Sequence, residues 1–230
     1  MAGSKSRNRG GKGISRSKSS ARWLARQRKD PYARKAQAEG RVSRAHFKLE
    51  ELDQRCRLLR PRMRVLELGA APGGWTRYIE EQIRGGMLIA CDFRPVSAGP
   101  DTIVVEGEFG EPETDARIAE LLDGEPLDLV LSDMSPNISG IRTVDQALSM
   151  ELAELAELAA DNWLKSNGRL VIKIFQGEGV ESWIPKLRKK YGKVRLLKPK
   201  ASRSDSREVY LVAEQFSGGD QAGGSKPEQG

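Results

Sequence analysis

The sequence predicts an α/β fold: a mostly parallel, seven-stranded sheet with one antiparallel strand and helices on both faces. Three observations predict it. From Met63 onward, short apolar runs alternate regularly with segments of helical periodicity, the order that builds a parallel sheet covered by helices. The run Val65-Leu66-Glu67-Leu68 leads into Gly69-Ala70-Ala71-Pro72-Gly73-Gly74-Trp75, which reads as strand, tight loop and helix. Two β-like runs close the chain with no long helix between them, so one of them runs antiparallel to the rest.

The elements follow in order. Ser43 is the expected N-cap of a helix through Phe47, Leu49, Leu52 and Cys56, whose apolar positions suit one buried face. Strands are expected at 63–68, 87–91, 102–105, 127–132 and 168–175, and helices near 74–84, 112–122, 145–165 and 180–190. In the helix near 145–165, Leu148, Leu152, Leu155, Leu158, Ala159 and Trp163 recur at helical spacing. The closing β-like runs are 193–197 and 208–213.

Charge divides the chain into an arm and a body. Residues 1–40 hold 12 Lys/Arg against 2 Asp/Glu, or +10, so the remaining 27 basic and 30 acidic residues leave the body at −3. Residues 1–20 are Gly, Ser, Lys and Arg with almost nothing to bury, which is expected to be disordered alone. Residues 21–38, around Trp23, Leu24 and Tyr32, suit a helix formed on a partner, interrupted by Pro31. The expected organisation is a basic RNA-binding arm at 1–40, an enzyme-sized domain at 41–216 and a frayed tail at 217–230. An arm of this charge is the footprint of a polyanion partner or else a solvated tail.

Other classes are disfavoured. Cys56 and Cys91 are the only cysteines and His46 the only histidine, which supports neither a disulfide framework nor a zinc site nor a Ser-His hydrolase. No apolar run approaches the ~20 residues that span a bilayer, so a cytoplasmic protein without membrane contact is expected. A monomer is also expected, although no residue pattern decides it.

The glycine loop suggests the ligand. Its glycines let backbone approach a nucleotide, and the helix after it opens with free N–H donors. It is neither G-x-G-x-x-G nor G-x-x-x-x-G-K-[ST], and it holds no Lys for phosphates. An acidic strand end and an uncharged loop suit a cationic, amino-acid-bearing nucleoside, S-adenosylmethionine. The bland alternative is an ordinary glycine-rich turn. Together with the strand order, this is the Rossmann-like plan of a class I S-adenosylmethionine-dependent methyltransferase.

Polar residues at the other strand ends fit that plan. Asp92, after Leu88-Ile89-Ala90-Cys91, is placed for ribose hydroxyls or is simply a turn residue. Glu108 is placed for an adenine amino group, and Phe109 either faces the adenine or belongs to the core. Asp133 ends the fourth strand, where the reactive end of the cofactor should lie. Lys173 interrupts Leu170-Val171-Ile172-Lys173-Ile174-Phe175, an otherwise apolar central strand, and a lysine there is costly unless paired or functional. Lys48 and Glu208, taken singly, read as surface charges.

Five segments give these residues a common context. Ser43-Arg44-Ala45-His46-Phe47-Lys48-Leu49, Leu68-Gly69-Ala70-Ala71-Pro72-Gly73-Gly74-Trp75, Ser132-Asp133-Met134-Ser135-Pro136-Asn137, Lys173-Ile174-Phe175-Gln176-Gly177-Glu178-Gly179 and Ser206-Arg207-Glu208-Val209-Tyr210 follow one another in this order. In that order the chain resembles the FtsJ-type (RrmJ-like) RNA 2′-O-ribose methyltransferases over roughly 41–215. The resemblance implies that Lys48, Asp133, Lys173 and Glu208 are a catalytic Lys-Asp-Lys-Glu tetrad. It also implies that Gly73, Trp75, Asp92, Glu108 and Asp133 contact S-adenosylmethionine, with no metal. The bacterial ribosomal enzymes typically carry Asp where Glu108 stands, one methylene shorter, which puts the adenine contact in doubt.

The implied reaction is in-line methyl transfer to a ribose 2′-oxygen, with the hydroxyl proton removed as attack proceeds. Lys173 is the candidate base. Lys48 and burial disfavour its ammonium, whereas Asp133 and Glu208 favour it, so an orienting cation beside a proton-accepting carboxylate stays open. The arm and the closeness of the Ala-Ala-Pro-Gly-Gly-Trp and Lys-Ile-Phe-Gln-Gly-Glu-Gly segments point to a uridine of large-subunit (23S) ribosomal RNA. The alternatives are transfer RNA, a messenger cap, or a noncatalytic ribosome-assembly protein on the same fold. The body lacks an aromatic sheet for stacking bases, so Arg41, Arg44, Lys198, Lys200, Arg203 and Arg207 are the expected RNA contacts.

Overall fold

Seven strands form one sheet in the computed structural model, which describes residues 30–218. The strands are β1 (Arg64–Leu68), β2 (Met87–Asp92), β3 (Thr102–Glu106), β4 (Leu127–Ser132), β5 (Leu164–Phe175), β6 (Tyr191–Leu197) and β7 (Glu208–Phe216). Their spatial order is β3-β2-β1-β4-β5-β7-β6. Neighbours from β3 through β5 pair in parallel, and β7 lies antiparallel between β5 and β6. Lys173 therefore sits on an interior strand with one parallel and one antiparallel neighbour, not on a wholly parallel one.

Six helices accompany the sheet among the described residues: α1 (Pro31–Ala38), α2 (Ala45–Cys56), α3 (Gly74–Gln82), α4 (Pro112–Leu122), α5 (Arg142–Trp163) and α6 (Val180–Lys190). Strand alternation sorts the core into two layers. Leu66, Leu68, Ile89, Leu170 and Ile172 face a layer completed by Ile118, Ala153, Ala156, Ala160, Trp183 and Leu187 of α4, α5 and α6. Val65, Leu88, Leu129, Leu131, Val171 and Val212 face Leu49, Leu52, Trp75 and Ile79 of α2 and α3.

Three local expectations are corrected, and one left open is decided. Pro31 does not interrupt a helix but starts α1, where its missing N–H costs nothing and Asp30 caps the turn. Residues 1–29, including Trp23 and Leu24, lie outside the described residues, as do 219–230. Ser43 does not cap α2. Arg44 holds that position in helical geometry, and the Ser43 hydroxyl accepts only the Ala45 N–H at 3.3 Å.

On α5 the leucine stripe is not the buried face. Ala153, Ala156, Ala159 and Ala160 are fully buried, while Leu158 is 51% exposed. Small side chains let the helix approach the sheet closely, which a search for large apolar residues cannot see. Phe109 is core, edge-on to Trp163 with ring centroids 6.1 Å apart.

Candidate active site

Where consecutive strands lie on opposite sides of their starting strand, the loops at their carboxyl ends part and leave a crevice. Here that switch falls between β1 and β4. After β1 the backbone turns through Gly69 (φ 75°) and Gly73 (φ 107°), left-handed conformations that cost any other residue. Space forbids side chains as well. A Cβ on Gly69 would fall 2.7 Å from the Met134 nitrogen, and one on Gly73 would fall 2.3 Å from the Ser97 carbonyl oxygen. The Asp133 N–H also donates to the Leu68 carbonyl at 3.0 Å, so the loops after β1 and β4 are in direct contact.

Beneath this loop lies Glu67, 1% exposed, whose Oε2 accepts the Thr76 hydroxyl at 2.7 Å. Its Oε1 has no partner. Burial pushes the Glu67 carboxyl up to about 8, partly offset by the Thr76 hydrogen bond. Asp92 is also buried. Its carboxylate accepts the Ala71 N–H at 2.9 Å and the Arg94 N–H at 2.9 Å, and the half-exposed Arg94 guanidinium lies against it at 3.1 Å. That exposed arm covers the Asp92 carboxylate on its solvent side.

Glu108 stands exposed after β3. Trp75 is 1% exposed in the α2–α3 layer, and its indole N–H donates to the Ala45 carbonyl at 2.9 Å. A ligand can meet Trp75 only through its backbone N–H, free in the first turn of α3. The acidic residues Asp92 and Glu108, a loop whose glycines leave no room for a Cβ, and the absence of cations within that loop fit S-adenosylmethionine, whose sulfonium and ammonium are both positive.

The second half of the site is built from side chains. Lys173 and Tyr210 are directly paired across β5 and β7, and Phe175 is paired with Glu208. Because side chains alternate, Glu208, Tyr210 and Lys173 project toward the α2–α3 layer, above Val171 and Val212. Lys48 reaches them from α2.

The Lys173 ammonium donates to the Asp133 carbonyl at 2.6 Å and lies 3.2 Å from its Oδ1. Tyr210 donates to that same Oδ1 at 2.8 Å. Lys48 lies 2.6 Å from Glu208, which also accepts the Ser202 hydroxyl at 2.7 Å. The Lys48 ammonium stands 5.8 Å from the centre of the Tyr210 ring. The sheet thus joins two ion pairs through one tyrosine. Burial alone would raise the Asp133 carboxyl, but Lys173, Lys48 and the hydrogen bond from Tyr210 together hold it below the ordinary range. Burial, with Asp133 and Glu208, keeps the Tyr210 phenol well above its ordinary value, so it remains a donor.

Tyr210 is the residue that sequence reasoning left without a role. Its signal was parity, since it lies two positions after Glu208 on the same strand and therefore on the same face. His46 is buried and edge-on to Phe47 and Tyr78, and burial lowers its pKa, which leaves it a neutral packing residue. Of the basic residues flanking the site, Arg41 pairs with Glu81 at 2.7 Å, and Lys198 donates to the Ser206 carbonyl at 2.7 Å. Arg207 lies 5.5 Å from the centre of the Phe175 ring and, with Arg142, lines a cavity of about 740 Å³ beside Gln176 and Glu178.

A switch-point crevice with a glycine-lined loop and acidic strand ends, on this strand order, defines a class I methyltransferase. The particular family follows from comparison: residues 41–216 match the profile of the FtsJ-like methyltransferases, and the chain belongs to that family. It is 48% identical over 200 residues to a protein of Stenotrophomonas maltophilia named ribosomal RNA large subunit methyltransferase E, covering 86% of this chain and 95% of that one. A protein of the same name from Pseudomonas aeruginosa is 45% identical over 206 residues, covering 89% and 100%. Among solved structures, a ribosomal RNA methyltransferase from Plasmodium falciparum superposes with a TM-score of 0.69 at 27% identity, covering 76% of this chain and 98% of that one. No helix among the described residues is long and apolar enough to cross a membrane.

Proposed function

We propose that this protein transfers a methyl group from S-adenosylmethionine to the 2′-oxygen of a uridine in large-subunit ribosomal RNA. The observation that supports this most is the meeting of Lys48, Asp133, Lys173 and Glu208 at the loop that follows β1. Two relatives named as large-subunit ribosomal RNA methyltransferases, alike over nearly their whole length, support the substrate. All four charged residues are in place, which argues against a noncatalytic scaffold.

When bound, S-adenosylmethionine supplies an electrophilic methyl on a sulfonium. The chain must then hold a poor nucleophile in line and take its proton. Lys173, fixed by two contacts to Asp133, is the candidate acceptor. In its neutral form it receives the 2′-hydroxyl proton as the O–CH3 bond forms and the S–CH3 bond breaks. Asp133 holds Lys173 in place and its carboxylate would stabilise the positive end of the cofactor, while Tyr210 fixes that carboxylate. Lys48 and Glu208, braced by Ser202, line the adjoining cavity and would meet the incoming ribose there. One observation favours a second reading: in its contacts with Asp133, Lys173 only aims the oxygen lone pair while a carboxylate takes the proton.

The test is methyl transfer from labelled cofactor to large ribosomal subunits, transfer RNA and capped messenger RNA, with the product nucleotide mapped. A 2′-O-methyluridine in ribosomal RNA is expected. Methylation of a base, or of transfer RNA alone, would overturn the proposal.

A further inference from the structure

A cavity of about 380 Å³ adjoins the tetrad, lined by Arg44, Lys48, Arg203, Asp205, Ser206 and Glu208. Its two arginines share one carboxylate. Arg44 and Arg203 both bond Asp30 Oδ2, the latter at 3.3 Å, and Arg44 also donates to the Ala201 carbonyl. Asp30 is buried, and its Oδ1 is already committed to capping α1, accepting the Tyr32 and Ala33 N–H groups at 3.0 and 3.2 Å. The carboxylate therefore cannot turn to follow either arginine. It fixes where both guanidiniums point.

Two cations on one anion concentrate positive charge at the two guanidiniums, although the cavity with Asp30 is neutral once Asp205 is counted. The Arg44 Nε is buried without a partner, and the Arg203 side chain is 37% exposed. Lys48 is already matched by Glu208. Asp205 is the opposing charge on the rim.

We infer that Asp30 is a positioning residue that assembles Arg44 and Arg203 into a clamp for the RNA phosphate adjoining the methylated ribose. The inference rests on the proposed 2′-O reaction, and the chemistry of the substrate demands such a site. In an RNA strand the 2′-hydroxyl and the 3′-phosphodiester sit on neighbouring carbons, so an enzyme that holds one must accommodate the other. A planar, always-charged guanidinium pair suits phosphate oxygens. Arg44 lies one helical turn before Lys48, which puts the clamp beside the tetrad instead of elsewhere on the surface.

Asp30→Asn separates the two jobs of the residue, because Asn caps a helix as well as Asp does but carries no charge. In the full chain, this variant is expected to raise KM for large ribosomal subunits about tenfold, the size of one lost charge-assisted hydrogen bond. Turnover at saturating subunits should change less than threefold, and cofactor affinity by calorimetry should hold. The slope of log KM against log salt should fall by roughly 0.7–0.9, one phosphate contact.

Adding Asp30→Asn to Arg203→Ala should cost little beyond Arg203→Ala alone. Unchanged KM and salt slope, or fully additive losses, would overturn the clamp. Should Asp30→Asn melt early, Asp30→Ser, which also caps, gives the same two readouts. If the wild-type protein methylates no ribose, the proposed function fails; if it does and Asp30→Asn is indifferent, only the clamp fails.

Discussion

The two halves of the crevice are built from different materials. On the β1–β3 side the groups proposed to hold the cofactor are largely backbone: glycines that admit a close approach and N–H groups opening α3, with Asp92 holding the loop. On the β4–β5–β7 side the groups proposed for the chemistry are side chains from α2, β4, β5 and β7, held by ion pairs and one buried phenol. A backbone site is encoded in one short stretch and depends on space. A side-chain site is encoded in scattered residues and depends on sheet order. Mutations should therefore fail differently on the two sides: in affinity on the first, in turnover on the second.

The largest expected effect is at Lys173. Lys173→Ala should lower turnover by about a thousandfold or more, within the range of a lost general base, while cofactor affinity by calorimetry stays within a few-fold. Lys173→Arg should fail too, since a guanidinium stays protonated. Robust activity in the arginine variant would leave Lys173 only an orienting cation.

Gly73→Ala should do the reverse. At φ 107° and with the Ser97 oxygen 2.3 Å from the new methyl, the loop has to part. Strain of roughly 1–3 kcal/mol should emerge as a 10- to 100-fold loss of cofactor affinity, with turnover at saturating cofactor largely kept. A collapse of turnover at intact affinity would erase the contrast between the halves.

The smallest effect expected is on stability. Glu67 holds its proton up to about pH 8 when folded, against an ordinary 4.5. Between those values the folded chain binds a proton that the unfolded chain has released, so stability falls as pH rises through that window. Glu67→Gln removes the titration. Its melting temperature should exceed that of wild type by several degrees at pH 8 and converge with it near pH 4.5. Parallel curves would show that Glu67 is charged in the fold, with an unseen partner.

The same contrast explains what could be read from sequence. Strand β1 and the glycine loop were legible because periodicity and loop chemistry are local, and expected boundaries such as 127–132 coincide with the observed strand. Lys173 stood out because a cation in an apolar strand is anomalous wherever the strand lies. Lys48 and Glu208 did not, since each is ordinary until β7 inserts beside β5. Only resemblance to a known family brought them together in advance. The alanine face of α5 was missed because close approach rewards small residues, and Tyr210 because a tyrosine in a strand looks like packing.

The interior place of β7 has a consequence for the life of the chain. Synthesis runs from the N-terminus, and the strand carrying Glu208 and Tyr210 is the last to emerge, yet it must slide between two strands made earlier. A half-made copy owns its glycine loop but not its chemistry. On the proposed reading, a chain that stops before β7 lacks Glu208 and Tyr210 and is silent. Nascent chains stalled before residue 208 should transfer no methyl groups, and activity from them would refute that order of events.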